Sequence, residues 1–154
     1  MGKAKADLDR ASGEIQQKLQ SIGGDARVAV LKAIVSQASA AIPVVPLYAA
    51  LLFQVMKEQG SHEECIEHID RLFVSQLLTG ASMRLDDSGR IRVDDLELAE
   101  PVQAEVKRRW PLVDTENLPQ LGDLAGFRAD FLKIFGFGID GVDYDADVDP
   151  QRIS

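Results

Sequence analysis

"RVAVLKAIV" (Arg27–Val35) is the stretch on which the fold turns. It is nearly all apolar, rich in β-branched residues, and bounded by "GGD" before and "SQAS" after. A half-buried strand alternates apolar with polar residues. This one does not, so it reads as a strand covered on both faces, the usual state inside a parallel sheet. Such a strand needs neighbours on both edges, or its backbone ladder groups are left unpaired. No other segment stands out as its partner. The strand is therefore expected to pair with a second chain or, the reading preferred here, to belong to the C-terminal piece of a larger α/β protein.

Around this strand the sequence is helical. Before it, Ala4, Leu8, Ala11, Ile15 and Leu19 recur at steps of three and four, one face of an amphipathic helix that Gly23-Gly24 ends. After it, Pro46 suits a first helical turn, and "LYAALLFQVMK" is apolar almost all round, as a buried helix is. Ser61 with Glu64 forms a capping box for a helix whose buried stripe would be Cys65, Ile66, Ile69, Leu72, Phe73 and Leu77. "MRLDDSGRIRV" (Met83–Val93) sets turn chemistry between two short alternating runs, hence a hairpin. Glu100-Pro101 opens a helix with Val102, Val106 and Trp110 on one side, and a last helix is stopped by Gly136. There is no repeat or linker. The expectation is an α/β unit spanning residues 1–154, mostly helical, with one buried strand and a small hairpin.

The 154 residues are long enough to bury a core, and 45% hydrophobic with 27% charged residues is ordinary for a globular chain. A formal charge of −8 argues against nucleic acid or an anionic membrane as partner, because both need a positive surface. "MGKAKADLDR" lacks the apolar core of a signal peptide, and "AAIPVVPLYAALLF" (Ala40–Phe53) is too short to span a bilayer. With Cys65 as the lone cysteine, a reducing cytoplasm is the expected location.

Two motifs invite a metal and do not sustain it. In "FGFGIDGVDYDADVDP" (Phe135–Pro150) aspartates 143, 145, 147 and 149 alternate, but a calcium loop needs glycine at its sixth position. Val148 or Pro150 stands there, depending on register. In an extended segment the acids would share one face while Val142, Tyr144, Ala146 and Val148 share the other, which describes a tail strapped down by its apolar side. "SHEECIEH" has Ile66 where a zinc-protease pattern needs histidine; a buried Cys65 thiol beside two surface histidines, His62 and His68, is the plainer reading. No metal is expected. No glycine-rich phosphate fingerprint is present, and Lys5 is by default a solvated lysine.

In order, "MGKAKADLDRAS", "GGDARVAVLKAIVSQASAAIPVVPLY", "LLFQVMKEQGSHEECIEHIDRLF", "TENLPQLGDLAGFRADFLKIFGFG" and "GVDYDADVDP" resemble one family across essentially the whole chain. It is the FabV-type NADH-dependent enoyl-ACP reductases, also called trans-2-enoyl-CoA reductases. The resemblance implies that residues 1–154 are the C-terminal portion of a Rossmann-like fold of the short-chain dehydrogenase type, in a parent that acts as a monomer. It implies fatty acid biosynthesis: hydride passes from NADH to an enoyl thioester of acyl carrier protein or coenzyme A. "MGKAK" is similar to the end of that family's Tyr-x8-Lys pattern, which makes Lys5 the catalytic lysine and a cofactor ligand. The matching tyrosine and the glycine-rich loop fall outside these residues, so this stretch alone is expected to be inactive. "IVSQ" resembles the segment meeting the nicotinamide, through Ile34 and Ser36. Ser36 stands where the family has threonine. Val45, Phe53 and Phe127 match positions lining the acyl pocket, Phe127 replacing a common tyrosine. The alternative is a non-enzymatic remnant, a helical protein-interaction domain.

Overall fold

The computed structural model describes residues 2–78, 83–147, 149 and 151. Val148, expected on the apolar side of the tail, and Met1 lie outside the described residues. The chain opens with α1 (Gly2–Leu19), ended by a 3-10 turn (Gln20–Ile22) and by Gly23, whose φ of 71° is the left-handed cap that glycine adopts without strain. Next come β1 (Ala29–Val30), α2 (Gln37–Ala41), α3 (Val45–Glu58) and α4 (Cys65–Leu72). α4 runs on through a π turn (Phe73–Leu77). β2 (Ile91–Arg92), α5 (Asp95–Leu98), α6 (Glu100–Arg109), α7 (Leu118–Leu121) and α8 (Leu124–Lys133) complete the order.

The centre is α3. Ala49, Ala50, Leu51, Leu52, Phe53, Val55 and Met56 are all buried, so the helix is enclosed on every side, as its composition predicts. Val102 and Val106 of α6, Phe127 of α8 and Val35 close over it. Trp110, expected on the same face of α6, stays 39% exposed, because the helix ends at Arg109 and the chain turns into a short 3-10 stretch. Pro46 sits in the first turn of α3 as expected, but the residue before the helix, Val44, is held at φ 71°. A β-branched residue in that region is strained.

The strand reading is corrected in two respects. Only Ala29 and Val30 are in ladder geometry, and both are half-buried rather than covered on two faces. The strand is also not without a partner. β2 pairs with it in parallel, Ala29 opposite Ile91 and Val30 opposite Arg92, with Ile91 N–H donating to Val28 O and Val93 N–H to Val30 O. β2 is the second arm of the expected hairpin. That hairpin survives as one antiparallel bridge, Leu85 to Ile91, closed by the Asp86–Arg90 turn. Its second arm faces β1 instead of extending the hairpin, because Ile91 and Val93 pack with Leu72 in a small core of their own.

Of the stripe expected on α4, Leu72 is buried and Ile69 half-buried, but Cys65, Ile66, Phe73 and Leu77 are not. His68, Leu72 and Gln76 point inward, while Ile66, Phe73 and Leu77 are exposed and Cys65 is an exposed thiol. The capping box is real but one turn later: Glu64 caps the helix with Glu67, and Ser61 lies outside it. The C-terminal segment is not an extended strap. It turns through Gly136, Gly138 and Gly141, each at positive φ, and the Tyr144 hydroxyl pins it by donating to Gly136 O at 2.7 Å and accepting from Ile139 N–H at 2.8 Å. Val142 and Tyr144 remain about half exposed.

Candidate functional site

The site grows from the point where the sheet stops. β1 has a neighbour only through Val30, and residues 31–36 then run in no regular element as far as α2. Side chains from three other elements take over the ladder's role. Lys32 N–H donates to His68 Nε2 at 3.3 Å, and Ala33 N–H to Glu97 Oε2 at 2.5 Å. Ile34 O accepts from the Ser39 hydroxyl at 3.0 Å. Since His68 Nε2 accepts, its proton is on Nδ1, which meets Glu63 Oε2 at 2.9 Å. His68 is completely buried. Glu63 also holds Arg71 at 2.6 Å, and Arg71 bonds Asp95 and the Val93 carbonyl, each at 2.8 Å. Glu97 takes a second bond from the Tyr48 hydroxyl at 2.7 Å; burial foremost pushes that phenol up to about 12.

This segment forms one wall of a cavity of about 240 Å³. Ile34 and Val35 line it from the segment, Phe53 from α3, Ile66 and Cys65 from α4, and Ile134 from the end of α8. Three basic side chains, Lys32, His62 and Lys133, and three carboxylates, Glu63, Glu64 and Asp130, face the same space. Lys32 is 4% exposed; its ammonium donates to the Ala33 carbonyl at 3.3 Å and lies 5.2 Å from the centre of the Phe53 ring. Burial lowers its pKa, opposed by the charges of Glu63 and Glu97. The His62 ring lies tilted against Phe53, 4.9 Å between centres, and both its ring nitrogens are buried without a hydrogen-bond partner among the described residues. Burial, with Lys32 and Lys57 adding to it, lowers His62 to about 4, so the ring is neutral at pH 7.

Of the residues singled out from sequence, Ile34 and Phe53 meet at this cavity. Val45 stands half-buried at the start of α3 and Phe127 is packed in the main core; neither lines it. Ser36 is the N-cap of α2, its hydroxyl accepting from Ser39 N–H at 3.1 Å, and the hydroxyl keeps a second lone pair. Lys5 lies exposed on α1 and makes no hydrogen bond or ion pair among the described residues. The histidines expected at the surface are half-buried (His62) and fully buried (His68). Sequence reasoning passed over Lys32, although a lysine inside an otherwise apolar run is a visible anomaly.

Residues 1–78 match the trans-2-enoyl-CoA reductase catalytic region, and residues 85–148 match the enoyl reductase FAD binding domain. The chain is 58% identical over 151 residues to an enoyl-[acyl-carrier-protein] reductase [NADH] of Tolumonas auensis and 53% identical to that of Opitutus terrae. Each alignment takes in 98% of this chain and 38% of the relative. Among solved structures it superposes on a Clostridium trans-2-enoyl-CoA reductase in complex with NAD, with a TM-score of 0.88 and 46% identity over 95% of this chain and 38% of that one. The Treponema denticola enzyme, also with NAD, gives 0.86 and 45%, over 96% and 37%. The fold is thus a portion of a Rossmann-like enoyl reductase. The chain belongs to the trans-2-enoyl-CoA reductase family, and it spans about two-fifths of the length of the relatives it matches.

Proposed function

We propose that residues 1–154 are the C-terminal portion of the catalytic domain of an NADH-dependent reductase. Its substrates are trans-2-enoyl thioesters of acyl carrier protein or coenzyme A, in fatty acid biosynthesis. One observation carries this reading: Ile34 and Phe53, assigned by resemblance to the nicotinamide and to the acyl chain, face one apolar cavity. A short hydrocarbon chain is at home between such walls.

The residues present fit the nicotinamide cofactor. Lys5 has an ammonium without a partner among the described residues, available for ribose hydroxyls, and Ser36 keeps a lone pair for the carboxamide. When bound, NADH supplies the hydride for the β-carbon. Lys5 would act by charge, favouring ionised character on a tyrosine contributed by the longer protein, at the oxygen where enolate charge develops. Phe53 positions the acyl chain, with Val45 and Phe127 fixing the helices around it. A short-chain dehydrogenase topology for the whole, a monomeric state and a cytoplasmic setting complete the proposal; the exposed Cys65 thiol suits a reducing compartment.

A flavin is not part of it. Within residues 85–148 the broad groove beside Tyr48 and Trp110 is bordered by Glu100. The N-terminus of α6 at that edge carries this carboxylate and Pro101, which has no N–H to offer a diphosphate. That helix start does not suit a flavin's diphosphate.

The test is turnover of the longer protein with NADH and crotonyl-CoA. Lys5→Ala is expected to lower kcat by about 100-fold or more, and Phe53→Ala to raise KM. The 154 residues alone should oxidise no NADH. Near-normal activity of Lys5→Ala removes Lys5 from the chemistry, and turnover by the short chain overturns the reading that it is incomplete.

A further inference from the structure

Glu97 forms no ion pair among the described residues. Its two oxygens accept instead from neutral donors, Oε2 from the Ala33 N–H at 2.5 Å and Oε1 from the Tyr48 hydroxyl at 2.7 Å. Hydrogen bonds to a charged acceptor are the stronger kind. Gln103 braces the pair, its side-chain N–H group donating to the Glu97 carbonyl at 2.8 Å and to the Tyr48 hydroxyl at 3.3 Å. Side chains from α3, α5 and α6 therefore converge on one backbone amide.

The placement follows from the topology. β2 ends at Arg92 and α5 begins at Asp95, so the chain that forms the ladder to Val30 also supplies the acceptor that follows it. On either side of Ala33 the segment is fastened too. Lys32 N–H donates to His68, and Ile34 O accepts from the Ser39 hydroxyl. The Ile34 N–H has no acceptor among the described residues. Ordering a loose segment around a ligand costs conformational entropy, whereas a fastened one presents its groups already in place.

We propose that Glu97, braced by Tyr48, is a positioning residue for the nicotinamide cofactor. It acts through the Ala33 amide, holding residues 32–34 in the backbone conformation that presents Ile34 and Ser36. The inference rests on the reductase reading above, from which it takes the nicotinamide role of those two residues.

Two measurements test it. In the 154-residue chain, hydrogen exchange followed by NMR is expected to show a protected Ala33 amide. Glu97→Ala should speed its exchange at least about tenfold, while the Ile91 and Val93 amides of the ladder keep their rates. In the longer protein turning over crotonyl-CoA, Glu97→Ala should raise KM for NADH about tenfold, the scale of one charge-assisted hydrogen bond. KM for crotonyl-CoA should stay within about twofold on the same scale. Glu97→Gln keeps an acceptor for the amide and should recover most of the loss. Folding is checked by circular dichroism. Where Glu97→Ala does not fold, Tyr48→Phe keeps the ring, removes the bond that holds the carboxylate, and should raise KM for NADH in the same direction by less.

Four results overturn the proposal: an Ala33 amide that exchanges as fast in the parent chain as in the folded variant, an unchanged KM for NADH, equal rises in both KM values, or Glu97→Gln no better than Glu97→Ala. If the unaltered longer protein oxidises no NADH, the reductase reading falls and takes this inference with it. Any of the four in a working enzyme defeats the inference alone.

Discussion

His62 shows how one side chain's surroundings decide its charge. The imidazole ordinarily titrates near ~6.5, and here burial foremost takes it down to about 4. Between those values the unfolded chain binds a proton that the folded chain refuses. Stability therefore rises with pH through that window and falls as pH drops from about 6.5 towards 4. His62→Leu should flatten this slope. Urea midpoints measured at pH 7 and pH 5 are expected to differ less in the variant than in the parent chain. An equal difference in both would mean that the ring is not desolvated as described. The same environment explains why a zinc-like spacing in "SHEECIEH" yields no ligand set: Nδ1 and Nε2 of His68 are already bonded to Glu63 and Lys32, and Cys65 faces solvent.

Among the elements, α8 depends on a cap that spans two helices. Asp123 accepts from Gly126 N–H at 2.8 Å, pairs with Lys57 of α3 at 2.5 Å, and donates its own N–H to Ala50 O at 2.8 Å. Burial works against ionisation of this carboxylate, but the Lys57 and Gly126 bonds outweigh it and leave the pKa lowered. Asp123→Ala should cost about 1–2 kcal/mol, as loss of an N-cap does. Asp123→Asn keeps an acceptor and loses only a partly exposed ion pair, about 0–1 kcal/mol. Chemical denaturation of both variants checks this; equal losses would place the stabilisation in the charge and not in the cap. The last helix was legible in the sequence. Its tie to α3 was not, since Lys57 and Asp123 lie far apart along the chain.

For the whole molecule, the distribution of apolar surface is the leading fact. Leu8 and Ile15 of α1 are about half exposed, Ile66 is 84% exposed and Leu78 71%. Exposed apolar side chains of this kind favour association. The 154-residue chain is expected to show concentration-dependent association by sedimentation velocity, and Ile66→Asp with Leu78→Asp to shift it towards the monomer. A double variant that sediments like the parent would clear the α4 face of any part in it.

The sequence by itself determined the longer helices and the central place of α3, because helical period and a fully apolar run are local properties that one segment carries alone. Family membership, too, was present in the order of its motifs. Only the tertiary structure decided the rest. β2 became the partner of β1 because Ile91 and Val93 found a core with Leu72. His68 turned inward because Glu63 and the Lys32 amide gave its two nitrogens partners. Lys32, Ile34, Phe53 and His62 came to share one cavity. Each of those outcomes depends on contacts between residues distant in the chain, and the energy of such a contact has no trace in the local pattern of either side.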